Sequence, residues 1–155
     1  MYDFSADDIY EMAEQMEQNG AAFYREAAAN VEQDDFCQML QELAAMEDEH
    51  ERTFTAMRAE LSATEKESTV FDPSDESVLY LKALVDTKVF FKKEIDLSSM
   101  REILKAAIEA EKDSIVFYLG MKETVPVGRG KFRLGAIIKE EMAHIRLLSA
   151  RLGAR

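Results

Sequence analysis

Cys37 is the only cysteine in the 155-residue chain, so no internal disulfide can form, and zinc or iron–sulfur sites built from several cysteines are excluded within it. Basic side chains are scarce as well. The 19 Lys and Arg face 31 Asp and Glu, a formal charge of -12. That balance argues against nucleic acid or an anionic membrane as partner, since both ask for a basic surface. No segment approaches the roughly 18 consecutive apolar residues of a membrane span. The opening "MYDFSADD" is acidic where a secretory or organellar leader would be basic, so a cytoplasmic protein is expected. Two prolines and six glycines leave few breakers.

What fills the chain is Ala, Glu, Leu, Met and Lys, a composition for helix throughout. Ser5 followed by Asp8 reads as a capping box and opens a helix to about Asn30. A second helix is expected from about Asp34 to Ser62. The connection "SATEKESTVFDPSDES" follows, then a short helix over "VLYLKALV" capped by Ser74 or Asp75. A third long helix opens near Ser98 and stops before "TVPVGRG", and a fourth runs from about Lys131 to Leu152. The expected fold is all-α, one domain over residues 1–155. It is a four-helix bundle of two helical hairpins, about 5–62 and 98–152, joined by a long crossover over about 63–97.

The two hairpins repeat each other. Glu17 and Glu111 lie 94 positions apart, and so do Phe23 and Phe117, Tyr24 and Tyr118, Glu47 and Glu141, and His50 and His144. In the second helix Leu43, Glu47, His50, Phe54, Met57 and Leu61 step by four and three, the inward stripe of a bundle helix. Leu134, Ile137, Glu141, His144 and Leu148 do the same in the fourth. Stripes through Ala13, Glu17, Gly20 and Tyr24, and through Ala107, Glu111, Ser114 and Tyr118, complete the core. Four glutamates and the only two histidines should therefore meet near mid-bundle. The neighbouring Asp48, Glu49, Glu51 and Arg52 fall off the stripe and should face water.

A buried carboxylate without a partner costs several kcal/mol, and four together would exceed the roughly 5–15 kcal/mol by which a domain is stable. No Lys or Arg on the four stripes is placed to neutralise them. Two divalent cations would bring four positive charges and give both imidazoles a ligand role. One Glu, then E-x-x-H, then the same again is a known arrangement for a dinuclear carboxylate site in a bundle.

With those motifs the chain resembles the rubrerythrin branch of the ferritin-like di-iron proteins over nearly its whole length. The resemblance implies metal ligation by Glu17, Glu47, His50, Glu111, Glu141 and His144, with Glu47 and Glu141 bridging, Glu17 and Glu111 terminal, and one histidine per metal. Oxygen-rich ligation with one imidazole favours two iron ions, then manganese, with zinc able to compete in vitro. The activity implied is reduction of hydrogen peroxide or dioxygen. Rubrerythrins proper carry a rubredoxin-like module with four cysteines, which this chain lacks, so an external electron donor such as a rubredoxin-like protein is expected. Many also have a further Glu one turn from the third-helix ligand. Here the neighbours of Glu111 are Ala107, Ile108, Ser114 and Ile115. The alternatives are ferrous-iron binding and oxidation for storage, and a metal-free interaction bundle. By resemblance alone, a homodimer is expected.

Smaller expectations complete the reading. Ala13, Gly20, Ala107 and Ser114 flank the lone glutamates and could leave room for a dioxygen or peroxide ligand, or serve close packing. Tyr24 and Tyr118 should face inward and hydrogen-bond a carboxylate across the bundle, or else backbone or water. The methionines and Cys37 are read as packing residues, and "FFKK" at 90–93 as one end of the crossover, half buried and half solvated.

Overall fold

The computed structural model describes residues 5–61, 75–86, 95–124 and 129–154, among which there are five helices and no strand. In chain order they are α1 (Ala6–Ala29), α2 (Asp34–Ala59), α3 (Glu76–Asp86), α4 (Met100–Thr124) and α5 (Arg129–Gly153). α1 packs along α2 and α4 along α5, as hairpins with short connections should. α1 also meets α4 and α2 meets α5, closing the four long helices into a bundle, and α3 lies against α4. No described helix is long and apolar enough to cross a membrane.

The start of α1 follows from local chemistry. The Asp8 amide donates to the Ser5 hydroxyl at 3.2 Å, and the Ser5 amide donates to the Asp8 carboxylate at 3.0 Å. Such a cap is worth about 1 kcal/mol. α3 is capped by Asp75, whose Oδ1 accepts from the amides of Ser77 and Val78; Ser74 lies outside the described residues, as do Phe90 to Lys93 and most of the crossover. Three helix ends differ from expectation. α2 stops at Ala59, where the Glu60 amide reaches back to Ala56 and Met57. α4 begins at Met100, because the Ser99 hydroxyl accepts from the Glu102 amide. α5 begins at Arg129, taking Gly130 into its first turn.

One glycine decides how closely α3 approaches. A Cβ on Gly120 would lie 2.6 Å from Tyr80 Cε1 and 2.9 Å from Leu81 Cδ2, so any larger residue would push α3 off α4. The contact is fastened by the Tyr80 hydroxyl, which donates to the Val116 carbonyl at 2.7 Å.

The apolar core comes in two blocks. Ile9, Phe54, Leu81, Phe117, Met121 and Leu134 belong to one, and Phe36, Leu40, Leu43, Ile103, Leu104 and Leu148 to the other. Fully burying a side chain of this size contributes about 1.5–3 kcal/mol. Between the blocks lies a polar layer.

Candidate metal centre

That layer consists of Glu17 from α1, Glu47 and His50 from α2, Glu111 from α4, and Glu141 and His144 from α5, all buried, none more than 4% exposed. The spacing of three puts each Glu and His of an E-x-x-H pair one above the other on the inward face of its helix. The 94-residue repeat then appears in space as an approximate twofold relation between the hairpins. The two imidazole rings stack with centroids 5.9 Å apart and planes 21° from parallel.

Both rings turn Nδ1 into the layer. His50 Nδ1 lies 2.7 Å from Glu141 Oε1, 3.6 Å from Glu17 Oε2 and 3.8 Å from Glu47 Oε2. His144 Nδ1 lies 3.4 Å from Glu111 Oε1, 3.7 Å from Glu47 Oε1 and 3.7 Å from Glu141 Oε2. Two groups of four ligand atoms result. Glu17, Glu47, His50 and Glu141 form one, Glu47, Glu111, Glu141 and His144 the other, and within each the atoms lie within 4.8 Å of one another. Glu47 and Glu141 belong to both. All six residues named from the sequence are therefore brought together.

The tyrosines complete the layer by crossing it. The Tyr24 hydroxyl donates to Glu111 at 2.7 Å, and the Tyr118 hydroxyl donates to Glu17 at 2.5 Å, each reaching the lone glutamate of the other hairpin. Of the two roles the sequence leaves open for these phenols, the structure shows the carboxylate partner. Gly20 is also close: a Cβ there would sit 3.6 Å from Glu47 Cδ and 3.7 Å from its Oε2, in ordinary contact.

The electrostatics show what the layer lacks. Among the described residues, every ion pair of the four glutamates is with His50 or His144. Burial alone would lower both imidazoles. The adjacent Glu141, Glu17 and Glu47 outweigh it at His50, which is strongly raised, and Glu141 and Glu47 push His144 up to about 9. Burial, then the neighbouring Glu17, pushes Glu47 up to about 8. Burial also acts to raise Glu141, but the two histidines prevail and it is lowered. Tyr24 and Tyr118 are raised well above 10 by burial and the surrounding carboxylates, so they remain hydrogen-bond donors at any ordinary pH.

Even so, the layer is not satisfied. Glu17 Oε2, Glu111 Oε2, both Glu141 oxygens and the Nδ1 atoms of His50 and His144 are buried without a hydrogen bond of good geometry, His50 Nδ1 and Glu141 Oε1 meeting only as an ion pair at 2.7 Å. Apart from Glu14 Oε1, these are all such atoms among the described residues. An orphaned buried polar atom costs about 1–3 kcal/mol, and here four such atoms converge beside the His50–Glu141 pair. The donor set, carboxylate oxygens with one imidazole nitrogen per group, suits iron or manganese.

Two residues at the layer's edge were not singled out by the sequence reading. His50 Nε2 lies 2.5 Å from Glu140 Oε2, and His144 Nε2 lies 3.3 Å from Met46 Sδ. Met46, grouped with the packing methionines, is 37% exposed. The signal was available, since Met46 and Glu140 are themselves 94 apart and each immediately precedes the Glu of an E-x-x-H pair.

Comparison with known proteins agrees with this architecture. The family described as Rubrerythrin matches residues 8–152. A crystal structure from Thermotoga maritima, assigned as a ferritin-like diiron-carboxylate protein, superposes with a TM-score of 0.71 at 22% identity, covering 98% of this chain and 97% of that one. At that identity the likeness concerns the fold. Among curated protein sequences, none matches the chain.

Proposed function

Because the chain belongs to the rubrerythrin family, we propose that it is a di-iron oxidoreductase that reduces hydrogen peroxide or dioxygen with electrons from a separate donor. One observation carries this reading: two four-atom ligand groups share Glu47 and Glu141, and most of their inward atoms have no other partner. Glu17 and His50 would complete one half and Glu111 and His144 the other. Two ferrous ions held by these residues would supply the two electrons by which hydrogen peroxide, with two protons, becomes two waters.

The chain's own residues prepare that chemistry. The Tyr118 and Tyr24 hydroxyls hold Glu17 and Glu111 by one oxygen each; at Glu17 the other oxygen faces His50 Nδ1, and at Glu111 the oxygen that Tyr24 holds is the one facing His144 Nδ1. Apolar blocks on either side exclude water from the layer, which strengthens every charge interaction inside it. Gly20 keeps the position beside the Glu47 carboxylate free of a side chain. With a single cysteine the chain has no four-cysteine electron-delivery module, so the reading assigns re-reduction to a separate rubredoxin-like protein.

The test is anaerobic loading with ferrous iron, followed by mixing with peroxide and, separately, with dioxygen. Rapid oxidation by peroxide at two irons per chain, with turnover once a reductant is supplied, is the expected result. Glu141→Ala should abolish binding of both metals, whereas Glu17→Ala should leave one. Uptake far beyond two irons per chain would instead make this an iron-storage protein, and no binding at all would refute the metal reading outright.

A further inference from the structure

Among the six ligand residues and the two tyrosines the twofold relation holds residue for residue. Glu17 answers Glu111, Glu47 answers Glu141, and each tyrosine crosses to the opposite glutamate. On the far side of the two imidazoles the pairing fails. His50 Nε2 faces a carboxylate, Glu140 Oε2 at 2.5 Å, where His144 Nε2 faces a thioether, Met46 Sδ at 3.3 Å. Glu140 is half exposed and lines a groove of about 600 Å³ between α2 and α5, with Arg52, Thr53, Phe132 and Arg133 among its other walls. The groove reaches His50 itself.

Resting on the metal-centre reading above, we infer that Glu140 is a positioning residue that makes the two halves of the centre unequal, so that the His50 half holds its metal more tightly than the His144 half. A carboxylate accepting the Nε2 proton fixes the tautomer with Nδ1 free to ligate, locks the ring plane, and pushes electron density toward Nδ1. A thioether is a weak acceptor and does each of these less well. Loss of such an outer partner typically weakens metal binding about 10–100-fold, which sets the difference expected between the halves. The bound pair would then present one firmly held ion and one more easily exchanged, on opposite sides of the shared carboxylates.

Equilibrium titration of the intact metal-free protein with Co(II), and Mössbauer spectra after anaerobic loading with 57Fe(II), test this without any assay of turnover. The shared carboxylates separate the two binding steps in every variant, so the reading lies in how that separation changes. Glu140→Met should weaken the first step about 10–100-fold, narrow the separation, and draw two distinct quadrupole doublets toward one. Met46→Glu should narrow it from the other side by strengthening the second step. Glu140→Gln, which keeps an acceptor but loses the charge, should fall between Glu140→Met and the parent. Step constants within about threefold of the parent in both Glu140→Met and Met46→Glu, with the doublets unchanged, would overturn the inference while leaving a two-metal centre intact. A parent protein that binds no Co(II) or Fe(II) would overturn the metal-centre reading instead.

Discussion

Raising the pH on the metal-free protein should destabilise it, over a window that the buried layer sets. His144 is pushed from 6.5 up to about 9 by Glu141 and Glu47, which outweigh its burial. A raised folded-state value means that the native protein holds a proton the unfolded chain releases. The stabilisation is therefore fully present below pH 6.5 and lost as the pH climbs through about 9. At 1.36 kcal/mol per pH unit, the interval corresponds to about 3 kcal/mol. His144 is 3% exposed, so little of this is screened by solvent. Glu47, raised from 4.5 to about 8, acts in the same direction across part of the window. Because the two side chains lie 3.7 Å apart, their contributions do not simply add. His50, raised still further by Glu141, Glu17 and Glu47, adds to the same trend across the whole window. Urea unfolding followed by circular dichroism at pH 6.5, 7.5 and 9, with chelator present, should show the midpoint falling by about 1–3 M, given the usual slope for a small domain. With saturating Co(II) the trend should reverse, since ligation requires deprotonated imidazole. A midpoint in the metal-free protein that stays level or rises with pH would refute the reasoning.

Two further substitutions probe features on either side of the layer. Tyr118→Phe removes the only hydrogen bond to Glu17 among the described contacts and should cost the metal-free protein about 1–3 kcal/mol in urea; a change below about 0.3 kcal/mol would show that Glu17 finds another donor. Gly120→Ala should lower stability by about 1–3 kcal/mol through overpacking against Tyr80 and Leu81, and hydrogen exchange across α3 should accelerate. A gain of about 1 kcal/mol, the ordinary benefit of alanine in a helix, would mean that α3 is not seated as described.

What could be read in advance was whatever depends on short spacing. Ser5 and Asp8 announce the start of α1 because a capping box spans four residues. The E-x-x-H pairs place themselves inward because three positions is nearly one helical turn, and the 94-residue repeat supplies the second half. Contacts between distant segments were harder. Nothing near Gly120 in the chain says that Tyr80 and Leu81 will press on it. Which nitrogen of His50 turns outward, and what meets it, depends on how α2 and α5 are juxtaposed, so Glu140 and Met46 passed as ordinary neighbours of the motif. The early end of α2 turns on backbone contacts of the Glu60 amide, which the repeating pattern does not encode.

Neither hairpin owns a complete ligand group. The one around His50 borrows Glu141 from α5, and the one around His144 borrows Glu47 from α2. Chemically the centre is a dimer interface folded into a single polypeptide, with α3 carried on the second half. The long connection then acts as a tether, setting the effective concentration of one half for the other, and its described residues contribute none of the ligand atoms. A chain opened between α2 and α3 would still carry all six ligand residues, in two pieces. Their cohesion would depend on protein concentration and on cations in one equilibrium, with the ions acting as the adhesive between them.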